Sequence, residues 1–232
     1  AAVAFAAQKL GFAATIFVPR ATPAAKLDRI ASYGASTVPV GDTYAEAYAA
    51  SQAWAAERDA LEVHAYDDEA VLAGQGTIGR ELEADDPALT HVLIAVGGGG
   101  LIGGVGSWFA GTGVRVVGVE PDGCPALHNA LAAGRPVPGP VGGLAADSLG
   151  ARQVGSLMFA VAQRAGLQSV LVSDAEIRAA QVWLWQRLRI VSEPGGATAL
   201  APLLSGAWSP PAGSKVGVVL CGANTNPSVL ES

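Results

Sequence analysis

Three stretches carry residue types that could do chemistry. The first is Gly97-Gly98-Gly99-Gly100-Leu101-Ile102-Gly103-Gly104, which directly follows the apolar run His91 to Val96 and opens a helical pattern. Consecutive glycines let backbone N–H groups converge on an anion, and a helix N-terminus adds its positive dipole end. No Lys-Ser or Lys-Thr follows, which excludes a nucleoside-triphosphate loop. The Gly-x-Gly-x-x-Gly dinucleotide fingerprint with an acid about twenty residues on is a poor match too. Glu120, about twenty residues on, is the feature that keeps a nicotinamide-dependent oxidoreductase open. A tight turn bringing helix close to sheet is the simpler alternative, but four glycines exceed what a turn needs. The expectation is a phosphate cradle.

The second stretch is Cys221-Gly222-Ala223-Asn224-Thr225-Asn226-Pro227. Taken alone it reads as a small cysteine packed beside a glycine turn. The third, Ser192-Glu193-Pro194-Gly195-Gly196-Ala197, reads alone as a helix start with an acid in the first turn. His64, His91 and His128 are expected in structural roles, and Trp183 and Trp185 on a packed helix with a charged outer face.

These stretches need strands and helices to position them. Apolar runs at 14–18, 36–40, 61–64, 90–96, 115–119, 169–172 and 215–220 read as strands. Helical patterns fall between them, two of them opened by capping boxes at Thr43–Glu46 and Ser173–Glu176. Continuously apolar strands alternating with helices predict an α/β fold with open, mostly parallel, twisted sheets flanked by helices. In such sheets ligands bind at the carboxyl ends of the strands, where the first two stretches lie.

Of 232 residues, 50% are hydrophobic and 15% charged, which supplies ample core. A net charge of −6, with eleven Arg and three Lys in no run, argues against nucleic acid. Val92 to Val114 contains no charge but nine glycines, so a strand, turn and buried helix is expected there rather than a membrane span. Two distant cysteines suit a reducing cytoplasm.

In this order, Gly-Gly-Gly-Gly-Leu, Ser-Glu-Pro-Gly-Gly-Ala and Cys-Gly-Ala-Asn resemble the fold-type-II pyridoxal-phosphate enzymes, above all the threonine/serine dehydratases and serine racemases. Ala73-Gly74-Gln75-Gly76-Thr77-Ile78, Pro23 to Lys26 with Tyr33 to Ala35, and Gly143 to Ser148 extend the likeness. The resemblance implies pyridoxal phosphate as cofactor. Gly97, Gly98, Gly99, Gly100 and Leu101 would hold its phosphate, Cys221 would sit at the pyridine nitrogen, Gly143 against the ring and Glu193 beside it. It also implies a cation at Glu120 and the backbone carbonyl of Cys124. Ala126 offers no side-chain oxygen there, which favours a monovalent ion or none over a divalent one.

By the same resemblance, residues 1–66 are what remains of a small domain and 67–232 the major part of a large one. The activity implied is deamination of L-threonine or L-serine to a 2-oxo acid and ammonia by a homodimer. A racemase or another β-elimination or replacement enzyme of the same fold is the alternative, and an inert binder of phosphate compounds is a third. The family's covalent cofactor lysine sits in a Ser-Phe-Lys-like motif that this sequence lacks. Lys9, Lys26 and Lys215 do not match it, so no catalytic residue is expected in this chain. The opening at Ala1, inside a helical pattern, gives the expectation that the lysine lies upstream and that the chain alone is inactive.

Overall fold

A computed structural model describes residues 1–226, and Pro227, expected to close the cysteine turn, lies outside them. The chain divides into two compact units, Ala1–Val63 and His64 onward.

The first unit contains α1 (Ala2–Leu10), β1 (Thr15–Val18), α2 (Ala24–Ser32), β2 (Ser36–Pro39) and α3 (Tyr44–Arg58). Gly11, at φ +76°, ends α1 in the left-handed conformation that glycine adopts without strain. β1 and β2 pair in parallel from Thr15 opposite Ser36 to Val18 opposite Pro39. Thr43 and Glu46 form the expected capping box at α3. Ala4, Val18, Ile30 and Ala35 make this unit's core.

The second unit runs α4 (Glu69–Asp85), β3 (His91–Ala95), α5 (Gly100–Phe109), β4 (Arg115–Pro121), α6 (Ala126–Ala133), α7 (Ala146–Leu149) and α8 (Ser156–Ala165). It continues through β5 (Gln168–Val172), α9 (Asp174–Leu188), α10 (Pro194–Ala197), a 3-10 turn (Thr198–Leu200), α11 (Ala201–Ser205) and β6 (Val216–Val218). The four strands form a parallel sheet in the order β5-β4-β3-β6.

Every residue of β3 is buried, because both faces of the sheet are covered. Val92, Ile94 and Val96 point into a core with Ile102, Val105, Leu127 and Met158. Leu93 and Ala95 point the other way, into a core with Val117, Ile177, Ala180 and Leu184. Burial of each large side chain contributes about 1.5–3 kcal/mol. This explains why a continuously apolar segment, rather than an alternating one, occupies the middle of the sheet.

α4 and α5 cross without side chains at their closest point. A Cβ on Gly104 would lie 2.6 Å from the Gly76 nitrogen, and one on Gly76 would lie 3.2 Å from the Gly104 oxygen. The close approach draws the site-bearing helix α5 tightly against its neighbour.

One expected strand is corrected: residues 61–64 form no strand. Leu61 is 91% exposed and Val63 is also exposed, so their apolar types find neither a sheet partner nor a core. The strand expected over 215–220 is shorter, Val216–Val218. Among the described residues no helix is long and apolar enough to cross a membrane.

Candidate functional site

β3 and β6 deliver two of the expected stretches to one edge of the sheet. In their parallel register Leu93 faces Val218, and the Val219 N–H donates to the Leu93 carbonyl at 3.1 Å. Gly97 and Cys221 therefore emerge side by side at the carboxyl ends of adjacent strands.

The turn Gly97–Gly99 is shaped by contacts that forbid side chains. A Cβ on Gly97 would lie 3.1 Å from the Leu149 Cα, and Gly99 takes φ +96° with Met158 beneath it. A Cβ on Gly98 would run into the Tyr66 ring, and one on Gly100 would meet the Tyr66 Cα at 3.1 Å. The Gly98 carbonyl accepts from the Gly155 N–H at 2.9 Å, and the Gly99 carbonyl from the Gly103 N–H at 2.8 Å. Carbonyls are thus engaged with protein. Among the described residues, no protein group accepts from the N–H groups of Gly97 to Leu101. Five amide donors thus lead into and open the ten-residue helix α5, an arrangement whose N–H groups and helix dipole suit an anion.

The remaining stretches close around the same edge. Leu149 of α7, against Gly97, also lies 3.2 Å from where a Cβ on Gly195 would be. The Cys221 thiol points at the Gly195 carbonyl, 3.9 Å away. Ser192 Oγ donates to the Gly222 carbonyl at 3.0 Å, and the Glu193 N–H donates to that same oxygen at 3.1 Å. Gln181, fully buried on α9, donates through Nε2 to the Ser192 carbonyl at 2.8 Å. The Ser192–Gly196 and Cys221–Gly222 segments are thereby locked together. The Cys221 residue is exposed on one side, yet its thiol is hemmed in by protein. Burial pushes its pKa up, and the Glu193 charge pushes it further, so Cys221 stays a neutral S–H donor.

Gly143 sits at the far end of the segment that carries Leu149. It adopts φ +87°, and a Cβ there would lie 2.8 Å from Asp174 Oδ1, which also accepts the Leu144 N–H at 2.9 Å. Glu120 lies apart from the cradle at the end of β4, fully buried. Its Oε1 accepts the Leu127 N–H at 2.6 Å, and its Oε2 accepts the His128 N–H at 2.9 Å and Ser169 Oγ at 2.6 Å. It therefore caps α6 from seven residues upstream. Burial raises its pKa, with these three donors pulling the other way. The Cys124 carbonyl accepts the Ala126 N–H at 3.0 Å, and its thiol donates to the Gly142 carbonyl at 3.0 Å. Among the described residues no three His, Cys, Asp or Glu side chains gather as a metal site.

Sequence reasoning missed Tyr66, Leu149 and Met158, which shape the glycine turn. It also missed Asp67, whose carboxylate accepts the N–H groups of Ser156 and Leu157 at 2.9 Å each and caps α8. The Asp67-Asp68 pair was the one available signal, since a single acid suffices to cap α4. Lys215 lies at the opposite end of β6, its Nζ 2.8 Å from the Asp86 carboxylate. Lys9 and Lys26 belong to α1 and α2. His64 accepts two backbone N–H groups through Nδ1, and His91 packs edge-on to Trp208. A separate groove, lined by Leu72, Gly76, Trp108, Leu157, Arg80 and Arg164, contains none of the expected site residues.

Residues 1–222 match the model of the pyridoxal-phosphate dependent enzyme family, and the chain belongs to that family. It is 39% identical over 224 residues to an L-threonine ammonia-lyase of Geobacter sulfurreducens, a match covering 96% of this chain and 56% of that protein. The chain thus spans about half the length of the curated relatives it matches. Its fold is similar to the processed form of threonine deaminase isoform 2 from Solanum lycopersicum, at TM-score 0.89 and 31% identity over 99% of this chain and 64% of that one. It is also similar to maize serine racemase, at TM-score 0.91 and 29% identity over 99% of this chain and 71% of that one.

The residues present fit the cofactor that defines the family. The turn whose every Cβ position is blocked leaves room only for backbone, and its amide donors suit a phosphate.

Proposed function

We propose that the whole protein to which this chain belongs deaminates L-threonine or L-serine to a 2-oxo acid and ammonia. The observation that carries this reading is the meeting of the Gly97–Leu101 amides and the neutral Cys221 thiol at the carboxyl ends of β3 and β6. The L-threonine ammonia-lyase and threonine deaminase likenesses support the substrate class. The unit Ala1–Val63 is assigned to the family's small domain and the unit from His64 to its large one.

Pyridoxal phosphate, when bound, supplies an electron sink for the bond broken at the amino acid's α-carbon. In this reading Gly97, Gly98, Gly99, Gly100 and Leu101 hold its phosphate through backbone N–H groups. Cys221 would lie at the pyridine nitrogen, where its neutral Sγ–H would offer a hydrogen bond without bringing a charge. Glu193 and Gly143 complete the walls. Glu120 and the Cys124 carbonyl serve capping and turn formation, and their remaining lone pairs would also suit a cation, monovalent rather than divalent. None of the three lysines is assigned to the cofactor, because none lies at the glycine turn or beside Cys221.

The maize serine racemase likeness favours a second reading, racemisation on the same site. Both are tested with the whole protein, measuring 2-oxo acid release alongside D-serine formation. Release of 2-oxo acid in excess of D-serine supports the first reading, and the reverse supports the second. Borohydride reduction of the 232-residue chain with the cofactor, followed by peptide mapping, checks the lysines. A specific adduct on Lys9, Lys26 or Lys215 together with turnover would overturn the assignment. The working form is taken to be a cytoplasmic homodimer, which sedimentation of the whole protein checks.

A further inference from the structure

Tyr66 occupies an unusual place for a residue outside any helix or strand. Its ring lies against Gly98 so closely that a single added methyl there would overlap ring carbons, and its backbone abuts Gly100. Three contacts hold it. His64 Nδ1 accepts the Tyr66 N–H at 3.1 Å and the Asp67 N–H at 2.8 Å, which pins the backbone on both sides of the Tyr66 Cα. The His64 ring meets the Tyr66 ring edge-on with centroids 4.8 Å apart. Asp67 is in turn anchored to the start of α8, whose Gly155 N–H holds the Gly98 carbonyl. The aromatic ring and the glycine turn are therefore fixed to the same helix end.

We propose that Tyr66 is a further phosphate-site residue: its ring is the apolar wall of the glycine turn, shielding the amide donors from water and retaining the bound phosphate. The inference rests on reading Gly97–Leu101 as the phosphate site and deepens it. Water competes with an anion for the amide donors, and excluding it strengthens each N–H to oxygen interaction in the lower local dielectric. A flat ring suits this task because the turn has no side chains to do it. Burial, and then the Asp67 charge, push the phenol pKa upward, so the ring brings no negative charge towards an anion.

The test uses the 232-residue chain, with Tyr66→Phe, Tyr66→Leu and Gly98→Asp variants titrated calorimetrically with pyridoxal phosphate, inorganic phosphate and pyridoxal. Tyr66→Phe keeps the wall and should bind both phosphate ligands within about twofold of the parent. Tyr66→Leu keeps the packing volume but not the flat face, and should bind them about tenfold more weakly, with pyridoxal unaffected. Gly98→Asp separates the two layers of the argument. Should it bind like the parent, or should the parent bind neither phosphate ligand, the cradle itself is refuted and Tyr66 with it. If Gly98→Asp loses binding while Tyr66→Leu retains it and only melts earlier, Tyr66 is structural and this inference alone falls. An equal loss in Tyr66→Phe would place the effect in the hydroxyl and overturn the wall.

Discussion

The carboxylate of Asp67 caps a helix that begins 89 residues later, at Ser156. This bond joins the segment leading into α4 to the N-terminus of α8, and through Gly155 to the Gly98 carbonyl. Asp67→Ala should cost about 1–2 kcal/mol, the range of a lost helix cap. Asp67→Asn, which can still accept, should recover most of it. Urea denaturation of the three proteins measures both, and equal midpoints would show that α8 needs no cap.

Glycine in α4 and α5 has opposite consequences at two positions. Gly104→Ala drives a Cβ into the backbone of α4, where neither helix has a flexible atom to move, and should destabilise by about 1–3 kcal/mol. Gly74, also on α4, has nothing within 4 Å of a Cβ. Gly74→Ala should stabilise by about 0.5–1 kcal/mol through helix propensity. Thermal melts of the pair give the comparison. Shifts in the same direction would contradict the close crossing.

Glu120 makes the stability of the second unit depend on pH. Burial raises its folded pKa above the ordinary 4.5, so the folded state holds this proton more tightly than the unfolded chain does. Its contribution is therefore full below 4.5, falls as pH climbs through the raised folded value, and is level beyond it. Glu120→Gln should remove that slope. Denaturation midpoints collected from acid to neutral pH test it, and an unchanged slope in the variant would assign the titration elsewhere. Adding K⁺ or Mg²⁺ in the same experiment examines the alternative use of this carboxylate. A saturable stabilisation lost in Glu120→Gln would install an ion there.

Cys221 should alkylate slowly with iodoacetamide near neutral pH, because the reactive thiolate is scarce when burial and Glu193 raise the pKa. Glu193→Gln removes the repelling charge, so the rate–pH profile should move to lower pH and the neutral rate should rise. Peptide mass mapping distinguishes Cys221 from the buried Cys124. A profile indifferent to residue 193 would separate the two groups.

What was legible in the sequence was local. The boxes Thr43–Glu46 and Ser173–Glu176 close over three residues, and both form. The glycine turn was readable because strand, turn and helix lie in one run of sequence, β3 to α5. The segment 61–64 failed for the complementary reason: apolar types mark a strand only where a neighbour accepts them, and Leu61 has none. Tyr66 and Leu149 were invisible, and Asp67 was only hinted at by the acid pair, because each acts on a glycine or a helix end far along the chain. The capping role of Glu120 was hidden because its helix begins only after Pro125, so the cap lies across a loop.

The pairing of β3 with β6 also sets when the site can exist. Thr90 and Lys215, at the head of that ladder, are 125 residues apart, so closing it carries a large loop entropy and comes late. Until then β3, buried along its whole length in the finished fold, has one unpaired edge, a template for the wrong partner while the chain is still being made. Gly97 acquires its neighbour Cys221 only when that edge is covered. A ligand that needed both segments would therefore report that folding of this sheet is complete, since a partly folded chain would present the glycine turn alone.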